Sequence, residues 1–100
     1  MAKKTTKTFP YDSADYLISV DAINSYMQEA LETNDPAFIA HALGTIARAR
    51  GMSRIAKRAG LSRESLYKAL STGGNPGFGT IIRVMRALGL KFSITATQAR

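Results

Sequence analysis

Between Met52 and Ser71 stand ten residues that can bond to phosphates or to the edges of bases: Ser53, Arg54, Lys57, Arg58, Ser62, Arg63, Glu64, Tyr67, Lys68 and Ser71. Arg63 has the most selective chemistry, because a planar guanidinium donates two parallel hydrogen bonds to one guanine edge. Tyr67 and Ser62 can meet a base, a thymine methyl group or a phosphate. Glu64 has two readings. It can accept from a cytosine amino group, or it can pair with Lys68 four residues on and touch no base; the pairing is slightly favoured. Ser53, Arg54, Lys57 and Arg58 suit phosphate oxygens, contacts that fix register but carry no sequence information.

Such side chains need a rigid carrier, and the same stretch encodes one. Ile55, Ala56 and Ala59 form one apolar side of a short helix, with Ser53 expected as its cap. Gly60 follows where the chain must turn with positive φ, which glycine allows without a Cβ clash. Leu61 plugs the corner and Ser62 is expected to cap a second helix, whose buried side is Leu66, Ala69 and Leu70. Glu64, Lys68 and Ser71 lie on the opposite side, with Ser65 and Tyr67 flanking. Ala56 is small where the two helices would cross closely. Together these positions make the pattern of a DNA-binding helix-turn-helix. The plain alternative is a helical hairpin with no nucleic-acid role.

Charge favours the first reading. The chain has 100 residues, enough for one modest domain. It holds 14 Lys and Arg against 7 Asp and Glu, a net charge of +7, and its pI is near 10.2. That balance points to a polyanion as partner. The charge is also segregated. Residues 11–35 carry Asp12, Asp15, Asp21, Glu29, Glu32 and Asp35 and no Lys or Arg, whereas residues 36–100 carry eleven Lys or Arg and only Glu64 as an acid. Two surfaces with different partners are therefore expected. There is no cysteine, hence no disulfide framework or thiolate chemistry. No apolar run is long enough to span a bilayer, and the N-terminal lysines are followed by no apolar segment of a signal peptide, so no membrane role is expected and a cytoplasmic location is.

In chain order, residues 1–11 read as a flexible polar tail. Tyr16, Leu17, Ile18 and Val20 suit a short extended piece or one helical turn. From Asp21 to Thr33, the spacing of Ile23, Tyr26, Met27, Ala30 and Leu31 predicts an amphipathic helix. Asp35 and Pro36 start another, which presents Phe38, Ile39, Ala42, Leu43, Ile46 and Ala47 on one face and runs to about Arg50, where Gly51 ends it. Arg48 and Arg50 in its last turn suit the helix dipole. His41 falls off the apolar face and has no second histidine or cysteine with which to share a metal. Thr72 to Gly79 reads as a connection; it lacks the preceding strand and the Gly-Lys-Ser/Thr ending of a phosphate-cradling loop. A helix is predicted from about Phe78 to Leu88 with Phe78, Ile81, Ile82, Met85 and Leu88 inward, Arg83 and Arg86 outward, and Gly89 as its stop. Leu90 to Ala96 alternates apolar and polar residues, which predicts a short strand. A lone strand has unpaired edges, so it would need the Tyr16 region, its copy in a second subunit or another protein. Residues 97–100 are a tail.

The stretch Asp35–Leu88 resembles the lambda-repressor-like helix-turn-helix domain. Several runs are similar to a narrower family, the HigA-like addiction-module antidotes (antitoxins). These are Glu29-Ala30-Leu31-Glu32 with Asp35-Pro36, Ile46 to Ser53, Gly60 to Ser71, Gly74-Asn75-Pro76, and Ala87-Leu88-Gly89-Leu90. The most specific of them is Ser62-Arg63-Glu64-Ser65-Leu66-Tyr67-Lys68-Ala69-Leu70-Ser71. Gly77 and Gly79 depart from the family pattern and leave the start of the last helix open. The resemblance covers residues 12–96 and implies one mainly α domain: a lambda-repressor-like helix-turn-helix at 52–71, an added N-terminal helix and a short C-terminal β-strand. It implies a bacterial antitoxin encoded beside a RelE/HigB-like toxin, RNA-binding and basic, which the antitoxin neutralises. It also implies repression of its own operon through double-stranded operator DNA, on the nucleoid. One copy would touch too little DNA for high specificity, so a homodimer is expected. The alternative is a stand-alone repressor with no toxin. Ser65-Leu66-Tyr67-Lys68 matches a Ser-x-x-Lys nucleophile pattern, but the helix-turn-helix explains each residue and the partner motifs are absent, so neither catalysis nor a cofactor is expected.

Overall fold

The computed structural model describes residues 19–71 and 73–98. The expected tail at 1–11, the acids Asp12 and Asp15, the Tyr16–Ile18 piece, Thr72 and the last two residues lie outside that range. Among the described residues the fold is five helices: α1 Val20–Glu32, α2 Pro36–Arg50, α3 Met52–Ala59, α4 Arg63–Ala69 and α5 Phe78–Ala87.

Helix α1 begins at Ser19, whose hydroxyl accepts from the Ala22 amide at 3.1 Å. It buries Ala22, Ile23, Met27 and Ala30 against α2. Thr33 closes it, donating its hydroxyl to the Ala30 carbonyl at 2.6 Å. Asn34 then reverses the chain at φ 56°, a left-handed conformation that asparagine tolerates better than most residues. Asp35 caps α2 as expected, accepting from the Ala37 amide at 3.1 Å, with Pro36 in the first helical turn where no amide is needed. Ala42, Leu43, Ile46 and Ala47 are fully buried, so α2 is the central helix of the core. It contacts α1, α3 and α5.

The ends of α3 and α5 share one device. At the end of α3 the Leu61 amide reaches the Ala56 carbonyl at 2.8 Å and the Gly60 amide reaches Lys57 at 3.2 Å, with Gly60 at φ 75°. At the end of α5 the Leu90 amide reaches Met85 at 2.8 Å and the Gly89 amide reaches Arg86 at 3.0 Å, with Gly89 at φ 78°. Both are Schellman stops, in which a left-handed glycine lets two amides satisfy the last free carbonyls.

Three expectations are corrected. Ser53 does not cap α3: Gly51 precedes the helix and no side chain bonds its first amides, so Ser53 sits one residue inside. Phe78 is not inward but 68% exposed, in edge-to-face contact with Phe92 at 6.1 Å between centroids. The buried stripe of α5 is Val84, Met85, Ala87 and Leu88 with Ile81 packed on it, and Phe78 falls off its edge. The strand at Leu90–Ala96 does not form; residues 90–98 have no regular structure. Leu90 is drawn into the core as the apolar residue of the Schellman stop, Phe92 lies on Phe78, and Ile94 is 86% exposed. No neighbouring chain segment among the described residues offers the ladder a strand requires.

Candidate nucleic-acid interface

The residues marked out by sequence fall on α3, on α4, on the turn between them and, for Ser71, just past the end of α4. Helix α3 buries Met52, Ile55, Ala56 and Ala59, and this leaves Ser53, Arg54, Lys57 and Arg58 exposed. Arg54 donates its guanidinium to the Arg50 carbonyl at 2.9 Å, tying α3 to the end of α2. The cost of a wider side chain at Ala56, 1% exposed, would fall on the crossing of α3 with its neighbours.

Helix α4 is short, and its frame supplies what length does not. Ser62 accepts from the Ser65 amide at 2.9 Å and donates its hydroxyl to Ser65 Oγ at 2.9 Å. A cap of this kind contributes about 1 kcal/mol. Leu66 is fully buried and Leu70 nearly so, which fixes the inner side. Behind Leu70 stands Gly44 of α2. A Cβ there would sit 3.3 Å from both the Leu70 Cβ and its carbonyl oxygen, so glycine sets how closely Leu70, the C-cap of α4, approaches α2. Gly74 does the same from the following loop, since a Cβ at that position would lie closer than 3.0 Å to the carbonyls of Lys68 and Ala69.

On the outer side Arg63, Glu64, Ser65, Tyr67, Lys68 and Ser71 are all exposed. The Arg63 guanidinium lies 5.5 Å from the Tyr67 ring centre, a cation–π geometry worth about 0.5–1 kcal/mol at an exposed site. Ser71 donates its hydroxyl to the Lys68 carbonyl at 2.9 Å, leaving its oxygen free to accept. The favoured Glu64–Lys68 pair is corrected: no carboxylate–cation contact within 4.0 Å forms among the described residues. Glu64 is thus unpaired at the surface.

Two features were missed by sequence reasoning. Arg48 reaches beside α4: with His41, Gly44, Met52, Tyr67, Leu70 and Ser71 it lines a hollow of about 200 Å³, and it donates to Thr45 Oγ1 at 3.4 Å. Its position in the last turn of α2 suggested only a partner for the helix dipole. The second is a groove of about 550 Å³ lined by Arg50, Arg58, Arg83 and Arg86 together with Ala59, Ala87, Leu88 and Gly89. No acid lines it. The Arg50 Nε is buried away from solvent with no hydrogen-bond partner, a state that costs about 1–3 kcal/mol when nothing satisfies it. No group of His, Cys, Asp and Glu able to hold a metal occurs among the described residues, and no helix there is long and apolar enough to cross a membrane.

The fold and the exposed basic helices define a small, mainly α protein with a cationic surface. Over residues 7–96 the chain matches the family described as "Probable addiction module antidote protein", and it belongs to that family. A protein of Haemophilus influenzae, described only as uncharacterized, is 51% identical over 84 residues, covering 84% of this chain and 87% of its own length. No solved structure matches.

Proposed function

We propose that the chain is a sequence-specific DNA-binding antitoxin of a type II toxin–antitoxin module, which neutralises a RelE/HigB-like toxin and represses its own operon. The observation that carries the reading is the outer side of α4. Five polar side chains stand exposed on one short helix, with Ser71 just beyond its end, and its inner side is locked by Leu66, Leu70, Gly44 and Gly74. A rigid helix is what positions side chains against base edges, and membership of an antidote family supports the toxin half of the reading.

In this reading α3–turn–α4 is a lambda-repressor-like helix-turn-helix within a single domain of residues 12–96, and α4 lies in the major groove. Arg63 takes a guanine edge; Ser62, Glu64, Tyr67, Lys68 and Ser71 meet bases or nearby phosphates. Ser53, Arg54, Lys57 and Arg58 anchor phosphates. Two copies bind a two-fold operator on the nucleoid. Asp21, Glu29 and Glu32, exposed on α1, steer a basic toxin toward the chain, chiefly by raising the association rate. The test is a gel shift on DNA from upstream of its own operon, with and without the neighbouring gene product. Retention of that DNA over scrambled DNA, altered by the neighbour, is the expected result; equal retention of both DNAs refutes operator recognition.

A further inference from the structure

The four-arginine groove lies where three helix ends converge. Arg50 comes from the end of α2, Arg58 from the end of α3, and Arg83 and Arg86 from α5. It adjoins the turn that leads into α4, since the Arg83 guanidinium is 3.8 Å from where a Cβ on Gly60 would stand. The ordinary account of an arginine in a last helical turn is that it offsets the partial negative charge of the free carbonyls. That account covers Arg58 and Arg86 singly. It covers Arg50 in the last turn of α2 as well, but not Arg83, which lies mid-helix. Nor does it explain why four like charges share one concavity with no acid on its walls, an arrangement that is repulsive until an anion enters.

We infer that this groove is a second anion site, which grips the phosphodiester backbone of duplex DNA beside the part read by α4. The inference rests on the DNA-binding reading above. Three observations favour a backbone over an acidic protein segment. The groove shares Arg58 with α3, whose exposed Arg54 and Lys57 extend the cationic surface along the same helix. A duplex presents phosphates at short regular intervals, so it can fill several guanidiniums at once, and guanidiniums bind phosphate oxygens in pairs. The walls offer only Ala59, Ala87 and Leu88 as apolar surface, with no pocket for the aromatic or large aliphatic anchor that holds protein partners.

The experiment uses the full chain and duplex DNA from upstream of its own operon, with binding measured across a range of salt. Arg83 and Arg86 are exposed, so an R83S/R86S variant should keep the fold, which thermal unfolding checks. The log–log salt slope of this variant should be about two units shallower, at ~0.9 per phosphate lost, with the preference for operator over scrambled DNA unchanged. An R83K/R86K variant keeps both charges and should restore the slope. If the wild-type chain binds the duplex and the serine variant has the same slope, the groove site is refuted while DNA binding stands. If the wild-type chain binds no duplex, both readings fall. As a further arm, Arg side-chain N–H resonances are followed by NMR during titration with polyglutamate and, separately, with the duplex. Arg83 and Arg86 signals that move with polyglutamate and not with DNA overturn the proposal in favour of an acidic protein partner.

Discussion

Helices α1 and α3 have the same inner side and opposite outer sides. Each buries one methionine, one isoleucine and two alanines: Ala22, Ile23, Met27 and Ala30 in α1, and Met52, Ile55, Ala56 and Ala59 in α3. On the outside α1 carries Asp21, Glu29 and Glu32 with no cation, and α3 carries Arg54, Lys57 and Arg58 with no acid. The core therefore makes no demand on the sign of the outer charge. Exposed charges also contribute little to stability, and none of these pairs with an opposite charge among the described residues. Where such charges act in recognition they act at a distance, and their sign decides which partner approaches. In the proposed function α1 faces a basic partner and the α3–α4 surface a polyanion; the alternative for the acids is a solvated face.

The largest expected effect erases the contrast by removing the scaffold on which both sides depend. Leu66→Ala should destabilise the chain by about 2–5 kcal/mol, because a fully buried leucine leaves a cavity that close packing cannot refill. Denaturant unfolding checks it; a loss under 1 kcal/mol would mean that α4 is not anchored by this contact. Next in size is the acidic side. Replacing Asp21, Glu29 and Glu32 by their amides should slow toxin association by about tenfold at low salt and abolish its salt sensitivity, while operator binding by the free protein is retained. Asp35 is left out because it caps α2. Unchanged stopped-flow rates would make the acids a solvated face only. Ser62→Ala should cost about 1 kcal/mol of stability by uncapping α4, readable as a lowered denaturation midpoint. Lys57→Ala is the subtlest. It should weaken all DNA sequences alike and flatten the salt slope by ~0.9, and an unchanged slope would remove Lys57 from the interface.

Legibility in the sequence tracked how local each feature is. The caps at Asp35 and Ser62 and the positive φ of Gly60 follow from a residue and its immediate neighbours, and the structure has all three. The helices of α1 and α2 follow from apolar spacing within one element. Readings that needed a second element failed or were missed. The alternation of Leu90, Phe92 and Ile94 resembles a strand, yet a strand exists only with a partner, and two of those residues are occupied by the end and start of α5. Phe78 read as core because its spacing fits a helical face, but that face is centred on Val84, which the packing of α3 against α5 selects. The arginine groove was invisible because its members are far apart in sequence and the three at helix ends, Arg50, Arg58 and Arg86, each have an ordinary explanation on their own helix. Gly44, which helps hold α4 in place, gave no signal beyond being a glycine, and Gly74 stood out only within the Gly74-Asn75-Pro76 run, with no sign of its packing role.

The central claim is a division of labour: α4 reads DNA and a separate acidic face meets the toxin. One variant tests it most directly. Arg63 is exposed, and its one described contact is with the Tyr67 ring, so Arg63→Ala should leave the fold intact. Operator affinity and toxin affinity are measured on the same preparation. Loss of about 1–3 kcal/mol of operator binding, with scrambled DNA bound nearly as before and the toxin bound at wild-type affinity, is the predicted result. Operator binding at wild-type strength, or toxin binding lost together with it, would contradict the account.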